Sequence, residues 1–61
     1  MNATAIKIRF VVYDTMTGLE VTSYFKFEEQ ATAQIPILED NDKDAGCYIP
    51  NSYRVRRVEM I

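Results

Sequence analysis

The feature that most constrains the fold is a change of hydrophobic period at Phe27. Before this residue, the segment 6–13 alternates, with Ile6, Ile8, Phe10 and Val12 on one side and Lys7, Arg9, Val11 and Tyr13 on the other. β-Branched and aromatic residues at a period of two predict a β-strand with one face turned to the core. After Phe27 the apolar residues recur at helical spacing, so the chain must combine a sheet with a helix.

A turn at Asp14–Gly18 joins the first strand to a second one. The Asp14 side chain can accept hydrogen bonds from turn amides, and Gly18 can adopt a positive φ at little cost. Residues 19–26 then alternate again. The pattern predicts a β-hairpin.

The helical segment carries its apolar residues, Phe27, Ala31, Ile35 and Leu38, at spacings of four, four and three. This stripe predicts an amphipathic helix. Pro36 lies within it, and an interior proline removes a hydrogen bond and crowds the preceding turn. Either one helix kinks there, which the continuous phase of the stripe favours, or a short helix ends near Gln34 and a second begins with Pro36 at its first position.

The residues from Tyr53 onward predict a last strand with a conflict of phase. Tyr53 and Val55 share one parity, whereas Val58 and Met60 share the other. A β-bulge at Arg56-Arg57 would return both pairs to the core face. Without a bulge, Val58 and Met60 would form an apolar edge on the opposite face, which would favour an interface there.

These elements predict an α+β fold of ββαβ type. A right-handed crossover places the third strand beside the first. The expected result is a three-stranded antiparallel sheet of order 2-1-3, with one kinked helix packed on one face. We expect a single domain spanning residues 1–61, with residues 1–4 as a flexible N-terminus. The expected core joins helix and sheet residues: Ala31, Ile35, Leu38, Ile6, Ile8, Phe10, Val21, Phe25 and Val55.

The small size and the composition restrict the chemistry. A chain of 61 residues buries a small core, and domains of this size often gain stability from a disulfide, a metal or a partner. Cys47 is the only cysteine and there is no histidine, so we expect no internal disulfide, no metal, no cofactor and no catalytic residue. Self-association as a homodimer is the remaining route. A lone thiol and no secretion signal indicate the cytoplasm, and no apolar run is long enough for a membrane.

Charge separates between the strands and the helical segment, which defines two candidate surfaces. The acidic surface consists of helix-end carboxylates: Glu39, Asp40, Asp42 and Asp44. The spacing of its aspartates is similar to the start of a calcium loop, but Ala45 and Asn51 replace the required glycine and bidentate acid. The alternative surface is the basic and aromatic outer face of the sheet: Arg9, Tyr13, Tyr24, Arg54 and Arg56. Open sheets of this kind stack bases on aromatic rings and hold phosphates with arginine.

The chain resembles small uncharacterised proteins of bacterial phages and mobile elements. The shared pattern is Val12-Tyr13-Asp14-x-x-Thr17-Gly18, then Phe27-Glu28-Glu29, then Asp42-x-x-x-Gly46-x-Tyr48-x-Pro50-Asn51-x-Tyr53. The resemblance implies no activity. It implies a role seen in some short phage proteins, which inhibit a host or defence protein by presenting acidic surface in place of nucleic acid.

Two functions follow as hypotheses. The first is a non-enzymatic protein-interaction module, dimeric and of phage or mobile-element origin, that contacts a host protein through the acidic surface. The second is a single-stranded nucleic-acid-binding protein that uses the outer sheet face.

Overall fold

The computed structural model describes residues 5–61, so the predicted flexible N-terminus, residues 1–4, lies outside the described part. The described elements are a strand, two helices and a second strand: β1 (Lys7–Asp14), α1 (Glu28–Thr32), α2 (Gln34–Ala45) and β2 (Tyr53–Met60). The predicted α+β class is confirmed.

The two strands form an antiparallel sheet with an unbroken register, from Lys7 opposite Met60 to Asp14 opposite Tyr53. Of the two arrangements that the sequence left open, the bulge at Arg56-Arg57 is therefore not the one adopted. Each of these arginines has its own partner on β1, so no extra residue is accommodated. The Arg57 side chain remains well exposed although it has the same parity as Val55, since a long stem can carry its charge into water.

Val58 and Met60 consequently share a face with Arg9 and Val11, because directly opposed residues of an antiparallel pair lie on the same face. This is the second of the two arrangements that the phase conflict left open. The outer face of the sheet therefore contains apolar side chains at the end where β2 finishes.

The structure does not show the second strand predicted over residues 19–26 as a continuous strand, nor the ββαβ order with a three-stranded sheet of order 2-1-3. The segment does lie antiparallel beside β1, but it forms only two isolated bridges, Tyr13 with Glu20 and Phe10 with Phe25. Between these bridges β1 advances three residues and the segment advances five, so two residues are in excess. The side-chain oxygen of Thr22 accepts the N–H of Val12 at 3.0 Å in place of a backbone carbonyl, which interrupts the ladder.

The expected single helix is divided at Ala33. Pro36 has no N–H to donate to the carbonyl of Thr32, four residues earlier, and its ring crowds that carbonyl. The division therefore falls one turn before the proline. Ala33 keeps helical dihedral angles (φ −63°, ψ −19°), so the backbone passes from one helix to the next without leaving the helical region.

The core is smaller than the apolar stripes predict. Among the described hydrophobic residues, only Val11, Val12 and Ala31 are fully buried. The extended contact between helix and strands is made by α1, while α2 has no buried residue. Ile6 and Val21, both expected in the core, are exposed, because α2 does not cover the sheet.

The shape reflects this arrangement. The Cα radius of gyration is 13.9 Å, against about 10 Å for a compact domain of this length. The molecule is therefore extended. The Asp14–Tyr53 end and the Lys7–Met60 end of the β1–β2 ribbon have different neighbouring groups.

A candidate binding cleft beside the end of α2

The C-terminus of α2 is fixed by backbone hydrogen bonds. Gly46 has a φ of 75°, and the N–H groups of Gly46 and Cys47 donate to the carbonyls of Lys43 and Asp42 at 3.1 and 2.8 Å. This pair of backbone hydrogen bonds is a Schellman motif, in which glycine adopts the left-handed conformation without strain. The motif ends the helix and returns the chain towards β2.

A side-chain hydrogen bond joins α2 to the sheet. The Tyr53 hydroxyl donates to the Asp42 carboxylate at 2.6 Å. This bond, together with burial and the surrounding negative charge, raises the pKa of Tyr53 to about 12. At neutral pH the phenol therefore keeps its proton and serves as a hydrogen-bond donor.

An open cleft of about 340 Å³ lies at this junction. It is lined by residues from the first turn, the end of α2 and the start of β2: Asp14, Met16, Asp42, Cys47, Ile49, Ser52 and Tyr53. Met16 and Ile49 are 70% and 50% exposed. The cleft therefore combines carboxylates with solvent-exposed apolar side chains.

Ser52 contributes a polar group without a partner. Its backbone carbonyl accepts both the N–H and the hydroxyl of Thr15, at 2.8 and 3.2 Å. Its own Oγ is buried, in a residue only 7% exposed, and finds no hydrogen-bond partner among residues 5–61. An unsatisfied buried hydroxyl costs about 1–3 kcal/mol, so a polar atom that entered the cleft and bonded to this group would be stabilised.

The charge around the cleft is negative. Asp14 and Asp42 line it, no lysine or arginine does, and the carbonyl end of α2 adds its partial negative charge. The Asp14 carboxylate accepts only the N–H of Met16, at 2.8 Å, among the described groups. Such a site favours a cation over an anion.

The four residues of the predicted acidic surface do not form one surface. Asp40 and Asp44, one turn apart on α2, are exposed, whereas Glu39 and Asp42 are half-buried. Of the four, only Asp42 lines the cleft. The division follows from helical spacing, since positions three or four apart share a side of a helix.

Several cleft residues were not singled out by the sequence. Asp14 was interpreted as a turn residue, Ser52 as part of a loop, and Tyr53 as the start of a strand. The sequence did contain a signal that Asp14 and Tyr53 lie close together. Asp14 ends the first predicted strand and Tyr53 begins the last, and the predicted sheet pairs these two strands antiparallel. The sequence pattern does not show that α2 places Asp42 against Tyr53.

The alternative surface is brought together largely as expected. By the strand register, Arg9, Tyr13, Arg54 and Arg56 lie on one face of the sheet. The Arg56 guanidinium lies 4.2 Å from the centre of the Tyr13 ring. Arg9 donates to the backbone carbonyl of Ile8 at 2.8 Å.

A carboxylate within this face was missed. Glu20 lies 3.7 Å from the Arg56 guanidinium and accepts the Tyr24 hydroxyl at 2.5 Å. The hydrogen bond to Glu20 raises the pKa of Tyr24, with smaller contributions from burial and the glutamate charge. Glu20 thus neutralises part of the predicted basic surface, and the predicted hairpin already placed it on the same side as Tyr24.

Residues 5–61 contain no group of three acidic, cysteine or histidine side chains close enough to hold a metal ion. The Cys47 thiol is exposed and lies 3.9 Å from an Asp42 oxygen. Neither described helix has the length and apolar character needed to cross a membrane.

Comparison with models of known protein families, with curated proteins and with solved structures finds no match. The geometry of the molecule is therefore the basis for proposing a function.

Proposed function

We propose that this protein is a non-enzymatic interaction module that binds a basic side chain, lysine or arginine, of a partner protein in the cleft beside α2. The supporting observation is the cleft itself, where two carboxylates and the unpartnered Ser52 hydroxyl lie beside exposed apolar side chains. Inhibition of a host or defence protein through acidic surface, and an origin in phages or mobile elements, remain predictions.

The chemistry of the cleft matches the two parts of such a side chain. An ammonium or guanidinium group would approach Asp14 and Asp42, since charge-assisted hydrogen bonds are the strongest available to it. The aliphatic stem of lysine or arginine would cover Met16 and Ile49. Because the Ser52 Oγ is buried, it would accept one of these N–H groups only after a local movement that exposes it to the cleft.

The end of α2 is also arranged at some cost to the free protein. Asp42 and Asp44 lie in its last turn, where the helix dipole disfavours negative charge. Asp40 and Asp44 are like charges one turn apart, an unfavourable pair on an exposed helix face. A cation bound at Asp42 would offset the first of these effects.

The test is an NMR titration with single-residue probes. ¹⁵N-labelled protein is titrated with N-acetyl-arginine methylamide and N-acetyl-lysine methylamide, and with N-acetyl-citrulline methylamide as the uncharged isostere of arginine. The expected result is amide shift changes confined to the cleft (Asp14, Ile49, Ser52 and Tyr53) with a cationic probe and none with citrulline. A single side chain should bind weakly, with a Kd on the order of 1 mM.

Two variants separate the cleft from general negative charge. Asp42→Asn should abolish the shifts, whereas Asp40→Asn removes the same charge from an exposed position outside the cleft and should leave them. Equal responses to arginine and citrulline, or equal losses in the two variants, would contradict the proposal.

Single-stranded nucleic-acid binding is the second candidate, favoured by the common face of Arg9, Tyr13, Arg54 and Arg56. It predicts oligonucleotide binding that weakens steeply with salt and is lost in Arg9→Ala or Tyr24→Ala. Glu20→Gln, which removes the carboxylate from that face, should strengthen it. An oligonucleotide affinity that does not change with salt concentration or with these substitutions would exclude this function.

A further inference from the structure

The two edges of β1 are both occupied, whereas β2 has a neighbour on one edge only. On the side away from β2, Phe10 exchanges backbone hydrogen bonds with Phe25 at 2.8 and 2.7 Å, and the Val12 carbonyl accepts the N–H of Val21 at 2.9 Å. Backbone groups of successive residues alternate in direction along an antiparallel strand. The intervening residues Arg9 and Val11 therefore direct their groups to β2.

The same alternation fixes the free edge of β2. Arg9 and Val11 oppose Val58 and Arg56, so even-numbered residues of β2 bond to β1 and odd-numbered ones face outward. The outward backbone groups are those of four residues: Tyr53, Val55, Arg57 and Glu59. Within residues 5–61 no hydrogen bond to these backbone groups is found outside the β1–β2 ladder.

This edge lacks most of the devices that prevent edge-to-edge pairing. β2 is eight residues long, contains no proline, and pairs without a bulge. Exposed strand edges of this kind add a further strand unless they are short, bulged, charged or covered. The charged side chains are therefore the remaining feature of β2 that can limit pairing with another strand. Their order along β2 determines which strand can pair with it.

The charges select one symmetric self-pairing. In an antiparallel β2–β2 pair, the residue at the twofold axis lies opposite its own copy. An axis at Arg57 or at Arg56 would therefore place two arginines directly opposite each other. Centred on Val58, it opposes Arg57 with Glu59 twice and Val58 with Val58. Opposite charges across strands stabilise a sheet and like charges destabilise it.

We infer that a second copy of this chain pairs with β2 edge to edge, antiparallel, about a twofold axis at Val58. Arg57 and Glu59, which lie 3.3 Å apart within one chain, exchange that contact for two cross-strand ion pairs. Ile61, which is 94% exposed, comes opposite Val55 of the second copy. The result is one continuous sheet with a twofold-symmetric interface.

The predicted dimer differs from one made through the sheet face. It leaves Arg9, Tyr13 and Arg54 accessible, and it lies at the end of the ribbon away from the cleft. An interface of one strand pair is smaller than a standard protein interface, so the dimer should be weak and visible only at high protein concentration.

A charge swap tests the partner and the register together. Sedimentation equilibrium up to about 1 mM protein should show a monomer–dimer equilibrium. Arg57→Glu and Glu59→Arg should each raise the dimer Kd at least fivefold, and the double variant should restore it. Asp40→Arg, which changes charge equally on α2, should have no such effect. A monomer throughout, or singles that the double variant does not restore, would overturn the inference.

Crosslinking tests the axis directly in a Cys47→Ser background. Residues opposed in a non-hydrogen-bonded antiparallel pair have Cα atoms about 4.5 Å apart, within the range that a disulfide spans. Val58→Cys should therefore form a covalent dimer on oxidation, and Arg56→Cys should not. Crosslinking of Arg56→Cys in preference to Val58→Cys would show a different register.

Discussion

The two ends of the β1–β2 ribbon differ in what they leave unsatisfied. At the Asp14–Tyr53 end, side chains from α2 and the loops form a cleft with carboxylates and a buried hydroxyl. At the Lys7–Met60 end, the side chains are exposed and the free edge of β2 presents unpaired backbone groups. The first end suits a specific side chain of a partner, and the second suits another strand.

The difference teaches how a small chain can keep two binding functions apart. The fully buried residues are Val11 and Val12, consecutive in β1 and on opposite faces of the sheet, and Ala31 of α1. Each end of the ribbon therefore depends on local contacts. Changes at one end should therefore leave the other unaffected, while changes in the middle should affect both.

The largest expected effect is that of Val12→Ala. Removing two methyl groups from a fully buried position costs about 2 kcal/mol, from lost burial and a residual cavity. Thermal unfolding followed by circular dichroism should show a large loss in Tm, and both the cleft and the β2 edge should lose function together. Lys7→Ala, at an exposed position of the same strand, is the control and should change Tm little.

Tyr53→Phe should act at the cleft end alone. Losing the hydrogen bond to Asp42 should lower the free energy of unfolding by about 1 kcal/mol and weaken arginine-probe binding, without changing the dimer Kd of the folded protein. A parallel loss of dimerisation would show that the two ends are coupled.

The same variant has a pH signature. Tyr53 has its pKa raised from 10.0 to about 12 in the folded protein, so its contribution to stability is complete below pH 10 and is lost between pH 10 and 12. Urea unfolding across this range should show a smaller decline for Tyr53→Phe than for the wild type. Tyr24→Phe removes a second phenol whose pKa is raised by a carboxylate, so it should reduce the decline in the same direction. Asp40→Asn is the control, because it removes no phenol, and should leave the decline unchanged.

The smallest effect is a gain in stability. Asp44→Asn removes a negative charge from the last turn of α2 and should stabilise the free protein by about 0.3–0.5 kcal/mol. Glu28→Asn, in the first turn of α1 where the dipole favours the acid, should not stabilise it. Destabilisation by Asp44→Asn would contradict the electrostatic account of the α2 end.

Much of the framework follows from local pattern. The alternation in β1 and the helical stripe after Phe27 predict their elements, because a single period of apolar residues dominates each of them. The residues 19–26 alternate equally well, yet Thr22 replaces a backbone acceptor with its side chain. Competition of this kind between side chain and backbone is invisible to a period count.

The cleft depended on tertiary placement that the sequence does not encode locally. The acidic character of the segment 39–44 was evident, but α2 divides these carboxylates between two sides, and only Asp42 meets Tyr53. The phase conflict of β2 could not be resolved from the sequence for a related reason, because a bulge at Arg56-Arg57 and an apolar edge on the opposite face both fit the pattern. The structure leaves Val58 and Met60 on that opposite face.

The most direct test of the separation of the two ends is one set of ¹H–¹⁵N spectra with two variables. Protein concentration is varied without ligand, and N-acetyl-arginine methylamide is then added at fixed, low protein concentration. The account predicts that concentration shifts the amides of Arg57 and Glu59, and that the arginine probe shifts those of Asp14, Ser52 and Tyr53, with no overlap. Identical sets of shifted amides, or no response to either variable, would contradict it.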